Sequence, residues 1–441
     1  MFWFLYICIF LIGIIVFYQK SINSKDILII ISLFLIFSLS WPSGICLLLL
    51  TWITSQLQKS KSKAWTGVII NLSCVMSVYF LEQDFSFFKV GLSYYSIQNI
   101  GILLICIRYK PQDYSFKNLL FANAFFAKFI SGPILLPHEI STLKCSSKFN
   151  GKNFKCGVNR IIFGVFKKLV LADNLHVMTS AVFASKDIEF KAVTILFASL
   201  IFTVEMYLNF SAYTDIAIGI AKLFNVKLKE NFKLPLRSTS VSEYWKKTHI
   251  SLIEWLTQNL FYPVSFKLRK YPRYGIFTGI MITFIISGLW HGLFVGFLVW
   301  GFLNGIYLGF EYILKKSGIK IPFFFGWLST IILISFSNLF FVSKTWENSL
   351  NFSKQIFNAE SWKFKWETDV FAVLGNGWHL EEQFQMGMIM ILVFIFLSFE
   401  KRLDKLAKSS YFSISFISVL ILLCFLIGNL NDGAEFIYMQ F

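Results

Sequence analysis

Apolar stretches dominate the pattern of this chain, and short basic loops punctuate them. Runs near the roughly 20 residues that span a hydrocarbon core occupy Met1–Tyr18, Ala64–Leu81, Val90–Ile107, Lys191–Phe224, Tyr274–Leu314, Pro322–Val342, Gln385–Phe399 and Phe412–Leu430. Ile27–Ile53 reads as one long or two short segments broken at Trp41-Pro42. Met1–Tyr18 has no basic leader and no small-residue cleavage site, so a retained first span is expected rather than a signal peptide. Tyr274–Leu314 is long enough for two spans joined by a tight turn. The pattern predicts an all-α polytopic membrane protein of about 11 spans plus re-entrant or interfacial helices.

Two stretches break the rule. Asn118–Leu136 lies between the basic loops Arg108–Lys117 and Lys144–Lys155, and carries Lys128 and the breaker Ser131-Gly132-Pro133. If both loops are cytoplasmic, it enters the membrane and returns. Arg160–Phe183 is moderately apolar but contains Lys167-Lys168 and Asp173-Asn174, and is expected to be amphipathic with snorkelling lysines. Gly91-Leu-Ser-Tyr-Tyr-Ser-Ile-Gln98 is too polar to face lipid and should find partners inside the protein.

Composition agrees with a membrane chain. Of 441 residues 56% are hydrophobic, 19% aromatic and only 15% charged, and the mean hydropathy is +0.64. The net charge of +17 fits cytoplasmic loops rich in Lys and Arg better than nucleic-acid binding. Seven scattered cysteines show no metal or disulfide spacing, so no metal site is expected. No internal repeat or soluble domain is visible, and residues 1–441 read as one membrane domain.

Candidate chemistry gathers between Glu205 and Gly292, which hold two of the five histidines, His249 and His291. A straight helix from Arg273 carries His291 roughly 27 Å into a core about 30 Å thick. Ionisable groups at such depth are costly and mark functional sites. A neutral imidazole is the natural general base near pH 7, and no G-x-S-x-G nucleophile accompanies it. Direct acyl transfer to an acceptor hydroxyl is the chemistry expected at His291, with Trp290 beside it. His249, next to Lys246 and Lys247 and ahead of a short apolar helix, is expected near a membrane face as a second site residue. The cations Lys227, Lys229, Lys233, Arg237, Lys246 and Lys247 could meet a phosphorylated donor or lipid headgroups. Asp215, in the small-residue helix Ile216–Phe224 and its approach, is expected to pair with one of them.

Taken in order, Gly91–Gln98, Phe126–Pro133, Gly164–Asn174, Asn209–Asp215, Asn231–Pro235, Tyr244–Leu252 and Gly288-Leu-Trp-His-Gly292 resemble the membrane-bound O-acyltransferase (MBOAT) family. The branch that is most similar contains bacterial alginate and peptidoglycan O-acetyltransferase membrane subunits. The resemblance implies a ring-like helical fold with core motifs over residues 88–310, catalysis by His291 with His249 as second motif position, and no bound cofactor. It implies acetyl-CoA as cytoplasmic donor, the bacterial inner membrane as location, and an extracytoplasmic partner acetyltransferase or esterase-like protein that modifies a polysaccharide. The tail 431–441 resembles the branch's aromatic C-terminus. Basic Lys401–Lys408 followed by one crossing puts this tail outside, and Tyr438 would relay the acyl group there. Thr248 stands where the family has a common tryptophan, and Asn304 where many members have histidine. D-Alanyl transfer to teichoic acid from a carrier protein is the alternative within the family, and a lipid or sugar transporter the alternative outside it.

Overall fold

The computed structural model describes residues 13–14, 17–18, 23–80, 91–184, 190–343, 345–363, 380–409 and 414–429. Most of the first span, residues 344 and 364–379 of the polar stretch Ser343–Phe384, and the tail with Tyr438 lie outside the described residues.

The described residues are helices and connecting loops, with no strand among them. Among the described residues five helices are long and apolar enough to cross a membrane: Ala192–Leu223, Pro272–His291, Val295–Lys316, Phe323–Val342 and Gln383–Ala407. Ser24–Leu39, Trp41–Leu57 and Leu92–Arg108 are apolar but shorter. The break between the first two falls at Ser40, whose hydroxyl accepts the Ser43 amide and caps the following helix, with Pro42 in its first turn.

Where the sequence suggests a re-entrant segment, a nine-residue helix Phe116–Ala124 gives way to irregular backbone and then to the short helix Pro137–Thr142. Nine residues rise only about 14 Å. The irregular stretch is buried in protein and meets the polar end of Leu92–Arg108, as such backbone must. Gln98 Oε1 accepts from Lys128 Nζ and from the Leu135 amide, both at 2.9 Å, while Gln98 Nε2 donates to Asn123 Oδ1 at 2.6 Å. The polar Gly91–Gln98 stretch therefore faces protein, as expected.

Two expectations are corrected. The helix holding Asp215 does not begin at Ile216: it is the end of one 32-residue helix, Ala192–Leu223. Lys167 and Lys168 do not snorkel. They sit in a π-helical turn, Lys167–Ala172, which joins Gly151–Phe166 to Asp173–Phe183 and leaves both lysines less than a tenth exposed. Lys167 Nζ lies 2.5 Å from Asp215 Oδ2, and Lys168 Nζ 2.5 Å from Asp173 Oδ1. Buried charges persist where they are paired, and these are. Small residues bring the two helices close enough: a Cβ at Gly157 would lie 2.7 Å from the Gly219 carbonyl oxygen, and one at Gly164 2.8 Å from that of Ala212.

Pro272–His291 and Val295–Lys316 are the two expected spans, joined by the turn after Gly292, whose φ of 152° terminates the first helix. Gly288 and Gly301 let these helices touch, since a Cβ at either would collide with a carbonyl oxygen of the other.

Candidate active site

His291 is the last residue of its helix and only 3% exposed. Aromatic rings surround it: its ring centroid lies 4.9 Å from Trp290, 5.0 Å from Phe341 and 5.3 Å from Trp300, the last at right angles.

His249 is also 3% exposed, although the lysines just before it are more open. The reason is a corner in the backbone. His249 has φ 44° and ψ 50°, the left-handed region, and immediately precedes the helix Ile250–Leu256. A β-carbon makes this conformation unfavourable by about 1–2 kcal/mol, so surrounding structure must impose it. Asn231, fully buried, supplies the clamp. Its backbone oxygen accepts the Ile250 amide at 3.0 Å, and its Oδ1 accepts both the amide and the hydroxyl of Ser251 at 2.9 Å. Two residues on, the Lys233 amide donates to the Lys247 carbonyl oxygen at 3.0 Å. The corner turns His249 inward while Lys246 and Lys247 remain outside. Residue spacing carries no trace of this; the unusual backbone and Asn231 are the signals, and both need three dimensions.

The two histidines line one cavity. Trp290 sits against both, 6.2 Å from His249 and 4.9 Å from His291, and packs edge-on to Tyr94 at 5.5 Å. Tyr94 stacks on His249 at 6.3 Å, and Phe210 meets it edge-on at 4.7 Å. Ser287, one turn before His291, and Thr248 also line the space. Asn304 does not reach it. Its Oδ1 accepts from Trp245 Nε1 at 3.1 Å, which fixes that aromatic wall, and its Nδ2 donates to the main-chain oxygen of Trp300 at 2.8 Å. A largely aromatic lining with two imidazoles keeps water away, and there an imidazole can take a proton from a hydroxyl.

The remaining candidates lie elsewhere. Asp215 pairs with Arg160 and Lys167 rather than with any cation of the Lys227–Lys247 run. Arg160, 2% exposed, bridges Asp215 Oδ1 at 2.8 Å and both oxygens of Glu230, at 2.6 and 2.5 Å. Arg237 donates to the carbonyl oxygens of Leu397 and Ser398 at 2.9 and 2.8 Å. Lys247 pairs with Glu243 at 2.7 Å, and Lys246 is exposed. Lys247 and the Thr239 amide together hold the Glu243 carboxyl down at about 2. Among the described residues no three His, Cys, Asp or Glu side chains gather as a metal site would.

Comparison with known proteins gives this arrangement its context. The model of the membrane-bound O-acyltransferase family matches residues 27–351. The chain is similar to the peptidoglycan O-acetyltransferase of Helicobacter pylori, 26% identical over 72% of this chain and 63% of that protein. It is also similar to the probable alginate O-acetylase AlgI of Pseudomonas putida, 28% identical over 50% of this chain and 45% of that protein. A shorter match, 28% identical over 16% of this chain and 18% of the other, joins it to the teichoic acid D-alanyltransferase of Bacillus subtilis. The chain thus spans about half to two thirds the length of the first two relatives. With a match over most of its length and apolar helices long enough to cross a membrane, this multi-pass membrane protein belongs to the membrane-bound O-acyltransferase family.

Proposed function

We propose that this chain is an O-acetyltransferase of the bacterial inner membrane, acting in the modification of a cell-envelope polysaccharide or peptidoglycan. The observation that carries the reading is the aromatic cavity lined by both His249 and His291. His291 acts as the general base. Its ring nitrogen takes the proton of an acceptor hydroxyl as the oxygen forms a bond to the acetyl carbon, and the carbon–sulfur bond of a thioester donor breaks. The protonated imidazole gives that proton to the departing sulfur, so the donor leaves as a thiol and His291 is neutral again. His249, fixed by its clamped corner, orients the reactants, and the aromatic walls exclude water that would hydrolyse the thioester.

Acetyl-CoA is the donor consistent with the names of the similar proteins and with the basic loops, which belong on the cytoplasmic side. The acetyl group leaves on the opposite face to an extracytoplasmic acetyltransferase or esterase-like partner, with Tyr438 at an external C-terminus as carrier. The short likeness to a D-alanyltransferase favours one second reading, in which a carrier-protein thioester replaces acetyl-CoA.

Purified protein incubated with radiolabelled acetyl-CoA, followed by peptide mapping, tests the assignment. The expected result is label on the C-terminal peptide, absent in His291→Ala and in Tyr438→Phe. Label that persists in Tyr438→Phe removes the relay. No label in any form, with transfer restored by a D-alanyl carrier protein, establishes the second reading.

A further inference from the structure

Trp41–Leu57 and Lys61–Phe80 form a helical hairpin closed by the short turn Gln58–Ser60. Its turn end is pinned: the Gln112 amide donates to the Gln58 main-chain oxygen at 2.9 Å, and Gln58 Nε2 donates to the Tyr114 carbonyl oxygen at 2.7 Å. Partway along, a chain of buried side chains ties in both helices. Asn123 Nδ2 donates to Thr51 Oγ1 at 3.0 Å and to Asn99 Oδ1 at 2.9 Å, and Asn99 Nδ2 donates to Asn71 Oδ1 at 3.3 Å. Asn99 belongs to Leu92–Arg108, the helix whose first turn carries Tyr94, the ring stacked on His249. The hairpin is therefore part of the frame behind the histidine cavity.

Further from the turn, toward the open ends of the hairpin, Cys46 and Cys74 meet across the two helices with their sulfurs 3.4 Å apart. They are 28 residues apart in sequence, so no spacing motif announces them. Both are free thiols and only partly buried. A disulfide has its sulfurs about 2.05 Å apart, so closure asks these two to approach by roughly 1.4 Å. Exposed Ile45, Leu49 and Leu72 flank them, which leaves the pair open to a small uncharged reagent and unwelcoming to a charged one. Cys156 is placed differently: its thiol donates to the Lys408 main-chain oxygen at 3.0 Å and accepts from Lys222 Nζ at 3.2 Å.

We propose that Cys46 and Cys74 are a modification site, a dithiol that an oxidant of the peroxide class closes to a disulfide, stapling the open end of the hairpin. The chemistry balances in two steps. One sulfur attacks a peroxide oxygen: the S–O bond forms, the O–O bond breaks, and the hydroxide released takes up the thiol proton as water, leaving a sulfenic acid. The second sulfur then attacks the first: the S–S bond forms, the S–O bond breaks, and a second water carries off the remaining proton. The two sulfurs lose two electrons and the peroxide gains them. The staple joins residues 46 and 74 at the end opposite the pinned turn, and restricts the unfolded chain over residues 47–73.

The test uses full-length protein in its membrane with hydrogen peroxide as the probe. Catalase ends the exposure, N-ethylmaleimide blocks remaining thiols, and the protein is digested without reduction. The expected product is a peptide pair joined through Cys46 and Cys74 that separates on reduction. At least one of Cys46→Ser and Cys74→Ser, which lack the resolving thiol, stops at a sulfenic acid that dimedone traps. The oxidised wild-type protein unfolds in detergent several degrees above the reduced one, and the shift disappears on reduction and in both serine variants. Cys46 and Cys74 both still blocked by N-ethylmaleimide after peroxide, or joined to other cysteines, overturn the site. A joined peptide with no rise in the unfolding midpoint overturns the staple.

Discussion

Asn231→Ala isolates the role of the backbone corner at His249. Asn231 Oδ1 is acceptor to two Ser251 donors in a fully buried position. Truncation strands the Ser251 amide at the first turn of its helix, at a cost of about 1–3 kcal/mol. The left-handed geometry of His249 stores a further ~1–2 kcal/mol that the clamp opposes. The backbone bond from Ile250 survives, so the corner loosens rather than unfolds. If about 1.4–3 kcal/mol shifts His249 out of place, the population of the competent site falls about 10- to 100-fold. The acetyl-transfer rate should fall by that factor while the KM for the donor moves little. Ser251→Ala keeps the amide-to-Oδ1 bond and removes only the bonds of the hydroxyl, so its rate should fall less than that of Asn231→Ala. An Asn231→Ala protein that unfolds at a lower temperature yet transfers at the wild-type rate would refute the reasoning, since the corner would then serve stability alone.

Three further outcomes follow from the packing. Asp215→Asn leaves Arg160 and Lys167, 2% and 5% exposed, short of their counter-charge; breaking such a pair costs about 3–5 kcal/mol, and thermal unfolding in detergent should fall markedly, whereas an unchanged midpoint would show the network to be dispensable. Gly288→Ala drives a Cβ into the Phe297 carbonyl and should lower both the unfolding midpoint and the transfer rate through a cost of about 1–3 kcal/mol; Gly387→Ala, with open space around it, is the matched control that should change neither. Glu243 is held at about 2 by Lys247 and Thr239 against an ordinary 4.5. Because its folded value is depressed, its contribution is present above about pH 4.5 and is lost as pH falls toward 2, and Glu243→Gln should flatten the stability–pH curve in that window. The carboxylate is well exposed, so the change will be small.

How much of this is readable from residues alone depends on how local the cause is. The place of His291 at the end of a helix is readable because one uninterrupted apolar run begins at a basic loop and reaches it. The buried Gly91–Gln98 stretch is legible for the same reason: its polarity is incompatible with lipid, whatever its partners are. The burial of His249 is not readable beside two lysines, because it depends on bonds to Asn231, eighteen residues earlier. Lys167 and Lys168 mislead in the same way. Their partners, Asp215 and Asp173, are reached through a π-helical turn and a close helix approach. The spacing of Gly157 and Gly164, which line one face of a helix, is the sequence signal of that approach. Arg160 is invisible as a partner of Asp215 because 55 residues separate them.

The measurement that bears most directly on the central claim is the acetyl-transfer rate of folded His291→Ala in reconstituted membranes, with the unfolding midpoint recorded on the same sample. A positioned general base contributes about 10²–10⁴-fold. The account predicts a loss of at least about a hundredfold with the midpoint little changed. A folded His291→Ala protein that transfers acetyl groups within a few-fold of wild type would contradict it, and the two-histidine cavity would not be where the acyl group moves.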